Sequence, residues 1–323
     1  MKAAKSHELY RNLCRIVPSG AHSYSKASSQ WPSTSPHLLS HGHGAVVWDL
    51  DANAYVDCFM GLTSVSLGHG NEEIISVVCE RLKKGINFQL PTMDEYNAAR
   101  AFTSMVGDSD TMVKFAKDGS TANDAAIKLA RFYTKKNYIA KCIDHPFFST
   151  SDWFIGSSRA AGGCLKEPSE YVLNFKYNDI ISINQLFQNH GNQLAAVILE
   201  PIRFDKPQKI FFERLRDLCD EYNCILIADE VVTGMKYHLK GASYKYGLKA
   251  DLKTWGKGLA NGFPLSALTG KSSIMKFADT GCENDTFIMS TTHGGELSSL
   301  AAMVKTLQIF ERDAVIEVNW DRG

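Results

Sequence analysis

The chain has 323 residues, 44% of them hydrophobic, with 35 basic side chains balanced by 35 acidic ones. A neutral balance offers nothing to a nucleic acid or other polyanion, and no apolar run approaches the ~20 residues of a membrane span. The 8 cysteines are scattered without a Cys-x-x-Cys pair, which suggests neither zinc nor a redox couple.

In the first segment, 1–65, residues 1–44 are rich in Ser, His, Pro and Gly. Its opening ten residues lack the apolar core of a signal peptide, so the expected compartment is the cytoplasm. A short helix is expected near Glu8–Ile16. His41 and His43 flank a glycine and can be read as a metal pair or as a loop beside a strand. No third ligand sits at a helpful spacing, so the loop is preferred and no metal is expected. Residues 45–57 read as a β-hairpin turning at Asp51–Asn53. Asn71 should cap a helix with Ile75, Val78 and Leu82 on one face.

A larger unit is expected over 66–310. Helix 94–106, strand 112–116, helix 121–136, strand 138–143, strand 195–199, helix 208–223, strand 224–228 and strand 265–269 follow in turn. Such alternation predicts an α/β sheet with helices on both faces. Residues 156–170 read as a surface loop. The last stretch, 311–323, looks abrupt, with no further element after a helix ending near Glu311.

Four stretches carry candidate chemistry. In Ile225-Leu-Ile-Ala-Asp-Glu-Val-Val-Thr-Gly234, a buried strand delivers Asp229 to its C-terminal edge, where open parallel sheets place ligands. Lys257 stands between glycines in Thr254-Trp-Gly-Lys-Gly258. Pyridoxal phosphate (PLP) wants both a lysine for its aldehyde and a carboxylate for its ring nitrogen. An ordinary strand-end Asp and a solvated turn lysine would give the same letters.

In the second stretch, Gly119, Ser120 and Thr121 open a helix whose apolar face is Ala122, Ala126, Leu129, Ala130 and Tyr133. The end can cup a phosphate or be capped by Ser120 alone. The third, His145-Pro-Phe-Phe148, offers an aromatic face for a planar cofactor or an ordinary piece of core. The fourth, Ser290–Glu296, opens a long helix, again with phosphate binding and capping both open.

In combination, Gly119-Ser-Thr-Ala-Asn-Asp-Ala-Ala-Ile-Lys-Leu-Ala-Arg131, Tyr177-Asn-Asp179, Val197-Ile-Leu-Glu-Pro201, Asp229-Glu-Val-Val-Thr-Gly234 and Ala250-Asp-Leu-Lys-Thr-Trp-Gly-Lys-Gly258 resemble the class III PLP-dependent aminotransferases of fold type I. Within them the chain is most similar to glutamate-1-semialdehyde 2,1-aminomutase and its relatives. The resemblance runs from about residue 8 to about residue 315. It implies a large PLP-binding domain of mostly parallel sheet between helices, an N-terminal segment and an incomplete C-terminal small domain.

The resemblance also implies roles. Lys257 would form the aldimine, Asp229 would pair with the ring nitrogen, and Val231 would pack on the ring. Gly119, Ser120 and Thr121 would hold the phosphate, Phe147 would stack on the ring, and Glu200 would lie on the substrate side. Thr292 would reach the phosphate from the neighbouring subunit of a homodimer. Lys26 stands where the aminomutases carry a substrate-gripping arginine; lysine keeps the charge without the two-pronged grip. Residues 61–64 replace a tryptophan-containing substrate wall, and Val232 stands where other members often have Gln. The implied activity is PLP-dependent amino-group transfer between a small-molecule donor and acceptor. The alternatives are transamination of another amino acid, amine or sugar precursor, or PLP binding without catalysis.

Overall fold

The computed structural model describes residues 4–145, 150–158, 160–278 and 289–323. Two sheets hold the strands. β1 (Leu39–His43), β2 (Val46–Asp49) and β3 (Ala54–Val56) form a small antiparallel sheet. The expected hairpin is its β2–β3 half, and Asp49 fixes the turn by accepting from the amides of Asp51 and Asn53 at 2.8 and 2.9 Å. His41 lies in β1 and stacks on Trp48 with ring centroids 4.8 Å apart.

The second sheet comprises β4 (Thr111–Ala116), β5 (Tyr138–Cys142), β6 (Val172–Phe175), β7 (Leu194–Leu199), β8 (Ile225–Glu230), β9 (Leu252–Trp255) and β10 (Ser266–Lys271), in the order β4-β10-β9-β8-β7-β5-β6. β10 runs antiparallel to both its neighbours, and the other pairings are parallel. Every residue of β7 and β8 is buried, because helices cover both faces. Ala122, Ala126 and Leu129 of helix Gly119–Thr134 are buried at the sheet. Helices Ile180–His190 and Lys209–Glu221 share a cluster with β7 and β8 through Ile183, Phe187, Phe211 and Leu215. Helices Glu72–Leu82, Met93–Val106 and Leu297–Arg312 bring Val78, Phe102, Leu300 and Met303 into another cluster, with Trp255.

The α/β expectation holds, with local corrections. The first helix is Ala4–Leu13, earlier than expected. Asn71 does cap helix Glu72–Leu82, its side chain accepting from the Ile74 amide, but Ile74 and Val78 are buried while Ile75 and Leu82 face out. The sequence holds two adjacent isoleucines, and the helix phase selects the first. Tyr133 is likewise exposed on an otherwise buried face. The strands β1, β6 and β9 and helix Ile180–His190 were not foreseen. Helix Val315–Arg322 follows the long C-terminal helix, so the final stretch is not featureless.

Candidate active site

Parallel strands bring their C-terminal ends to one edge, and the ladder register decides which residues meet there. Asp229 of β8 stands opposite Thr254 of β9, and Leu199 of β7 opposite Ala228. Glu200, one residue beyond Leu199, therefore lies beside the same edge. Past the end of β9, Lys257 opens a short 3-10 turn with φ +46°, in the left-handed region.

Asp229 is 3% exposed. Its Oδ1 accepts from the Val231 amide at 3.0 Å and its Oδ2 from Asn123 Nδ2 at 3.0 Å. The Asn123 carbonyl accepts in turn from the Thr254 hydroxyl at 2.6 Å. Burial raises the Asp229 carboxyl from its ordinary value; the Val231 and Asn123 donors and the nearby Lys257 amine oppose that rise. The neighbouring carboxylate does other work. Glu230 points to the opposite face of the strand and accepts from the amides of Ala242 and Ser243 at 3.0 and 2.7 Å.

Glu200 is pushed up to about 7 by burial and by Asp229, with Arg203 and Lys257 opposing. Arg203 forms an ion pair with it. The second Glu200 oxygen and His145 Nδ1 are buried without a partner among the described residues. Burial lowers the Lys257 amine and Arg203 lowers it further, while Asp229 and Glu200 raise it. Two carboxylates and two cations thus share one desolvated place, where burial favours the neutral form of each group and the opposite charges resist it.

Val231 sits between two glycines. A Cβ built on Gly119 would lie 2.8 Å from Val231 Cγ1, and one on Gly256 would lie 3.2 Å from it. The absence of side chains there lets the turn before the Gly119 helix and the Lys257 loop close on the β8 end. The helix start differs from the sequence reading. Asp118, not Ser120, is the N-cap: its Oδ1 accepts from the Thr121 amide at 2.8 Å and its Oδ2 from the Thr121 hydroxyl at 2.9 Å. Gly119 and Ser120 are the first helical residues.

Lys26 is exposed in a short turn and has no described contact with the cluster. Thr292 is exposed ahead of helix Leu297–Arg312. That helix is capped by Glu296, which accepts from the Ser298 amide at 2.6 Å and pairs with Lys117 at 3.1 Å. Phe147 lies outside the described residues. The sequence reading missed Asn123 and Arg203. Asn123 did carry a signal, as a polar residue on the apolar face of its helix; Arg203 carried none.

Comparisons with known proteins follow the same lines. The family model described as aminotransferase class-III matches residues 27–321. The chain is 29% identical to the 3-aminobutyryl-CoA aminotransferase of Cloacimonas acidaminovorans (strain Evry), over 100% of this chain and 77% of that protein. It is 31% identical to the glutamate-1-semialdehyde 2,1-aminomutase of Sulfurihydrogenibium azorense (strain DSM 15241 / OCM 825 / Az-Fu1), over 96% and 74%. Among solved structures, it is similar to the FumI protein of Sphingopyxis sp. MTA144 in its PLP internal aldimine form, with TM-score 0.86 and 27% identity over 95% of this chain and 72% of that one. An omega-transaminase from Sphaerobacter thermophilus superposes with TM-score 0.87 and 25% identity, over 94% and 72%.

Proposed function

We propose, from the premise that this chain belongs to the class-III aminotransferase family, that it transfers an amino group between small molecules with PLP held at Lys257 and Asp229. The observation that carries the reading is the buried Asp229 carboxylate, tied by Asn123 and Val231 and electrostatically coupled to the desolvated Lys257 amine. The enzyme has PLP fold type I, and its cofactor is pyridoxal phosphate.

The residues fit that group. Asp229 is a buried carboxyl whose charged form a protonated ring nitrogen would stabilise. The bare Cα atoms of Gly119 and Gly256 leave Val231 uncrowded beside the same edge. Gly119 and Ser120 at a helix N-terminus suit the phosphate. Glu200 keeps one buried oxygen without a partner among the described residues, and it feels the Lys257 charge.

When bound, PLP supplies an electron sink for the carbon that bears the amino group. Asp229 would orient that sink and hold the proton on the ring nitrogen; the Asn123–Thr254 pair keeps the carboxylate in place. Lys257 Nζ would hold the cofactor at its aldehyde carbon, and as a free amine its lowered proton affinity would suit it to move the proton of the substrate carbon. Val231 would pack against the ring, and Glu200 with Arg203 would border the substrate side.

Between transfer within one molecule and transfer between two, we favour the second. The turn at 60–64 carries no aromatic wall, and Lys26 has no described contact with the cluster. Incubating PLP-loaded protein with an amine, with and without a 2-keto acid, tests this: rearranged product without an acceptor identifies a mutase, and product only with an acceptor a transaminase. No product from any amine supports a PLP holder without catalysis. We read the whole as a cytoplasmic homodimer, with Thr292 turned toward the partner's phosphate. Its organisation is an N-terminal segment 1–65, a large domain 66–310 and the start of a small domain at 311–323.

A further inference from the structure

The turn before the Glu72 helix is strained. Met60, Gly61, Leu62 and Thr63 have φ of 48°, 57°, 60° and 67°, one turn of left-handed helix in which three residues carry a Cβ. Such backbone persists only where its surroundings hold it. Asp57 takes one end, accepting from the amides of Phe59 and Gly61 at 3.2 and 2.8 Å and from His69 Nε2 at 2.8 Å. At the other end Lys236 Nζ donates to the Thr63 carbonyl at 3.2 Å.

That turn is the backing of the Lys257 loop. A Cβ on Gly258, the residue after Lys257, would lie 2.9 Å from Ser66 Oγ and 3.5 Å from the Thr63 carbonyl oxygen. The Asn261 side chain accepts from the Leu67 amide at 2.9 Å and donates to the Gly68 carbonyl at 3.1 Å. Residues 63–68 and 257–261 are therefore in contact along their length. The hydroxyls of Thr63 and Ser66 are buried without a partner among the described residues, so they add no hold of their own.

We propose that Lys236 is a positioning residue for Lys257, acting through the left-handed turn Met60–Thr63 that it clamps against Gly258. The inference rests on the reading of Lys257 as the reactive amine. Lys236 suits the task because it is largely desolvated and its backbone carbonyl is fixed by Trp320 Nε1 at 2.7 Å. Burial, and then the Lys257 amine, lower its own pKa to about 7. The other charged groups around Lys236 are Asp57, His69 and Arg322, which line the same cavity. Those facing Lys257 are Asp229, Glu200 and Arg203.

The test reads Lys257 without cofactor. The full chain is labelled with trace acetic anhydride across a pH series, and the midpoint for Lys257 is read by peptide mass spectrometry. Lys236→Met should raise that midpoint by about one pH unit, a roughly tenfold loss of free amine, because the turn no longer backs the loop and the Lys257 amine gains water. Lys236→Arg, which keeps a donor for the Thr63 carbonyl, should leave it near the wild-type value. A natively melting Lys236→Met protein with an unchanged midpoint would overturn the proposal. Should that variant not fold, the same reading applies to Leu62→Gly with Lys236→Met, in which glycine relieves one strained position. Failure of the proposed function would appear separately, as wild-type protein that takes no PLP on Lys257.

Discussion

At the scale of single residues, the site is a problem of burying charge. Asp229 is tolerable where it sits because three donors surround it: the Val231 amide, the Asn123 amide and, more distantly at 3.4 Å, the Thr254 hydroxyl. Asn123→Ala removes one and takes from the Thr254 hydroxyl its nearer acceptor. We expect a loss of about 1–3 kcal/mol in chemical denaturation, and weaker PLP retention with it. Asp118 poses the opposite case. Its carboxylate caps the helix where the phosphate would sit, so two anions compete for one end. Asp118→Asn keeps a capping oxygen and removes the charge. PLP should bind severalfold tighter to that variant by equilibrium dialysis, and the gain should shrink with added salt. An unchanged affinity would mean that the phosphate lies elsewhere.

At the scale of elements, three turns carry the chemistry on one rigid sheet. The Gly119 turn tests how closely they fit. Gly119→Ala forces a methyl group to 2.8 Å from Val231 Cγ1, so PLP affinity should fall by about tenfold or more, and Val231→Ala in the same chain should restore much of it. The strands that carry the site were legible because β7 and β8 are continuous apolar runs ending in a carboxylate. β9 was not: only four residues long, it holds Lys253, whose buried stem delivers its ammonium to the Lys240 carbonyl at 3.1 Å. Asp118 was passed over as a cap because Ser120 and Thr121 offer equally good oxygens two and three residues on. The left-handed turn at 60–63 has a single glycine, and nothing in Met, Leu or Thr announces that conformation; only contacts far along the chain impose it.

At the scale of the molecule, the chain spans about three quarters of the length of the relatives it matches, and its pieces are tied by charges distant in sequence. Glu296 joins β4 to the C-terminal helix through Lys117 and Ser298. Burial pushes its carboxyl up, but those bonds outweigh it and hold it at about 2. The folded value lies below the ordinary 4.5, so the stability it contributes is present above that pH and is lost as pH falls toward 2. Glu296→Gln should therefore flatten the acid limb of a stability–pH curve. The proposed dimer predicts that mixed Lys257→Ala and Thr292→Ala chains form hybrids with one complete site, recovering PLP retention that neither shows alone. Most direct for the central claim is borohydride reduction of the PLP-loaded protein followed by peptide mapping. The account predicts a pyridoxyl group on Lys257 that vanishes in Lys257→Ala; the same group on Lys236 or any other lysine, with Lys257 unmodified, would contradict it.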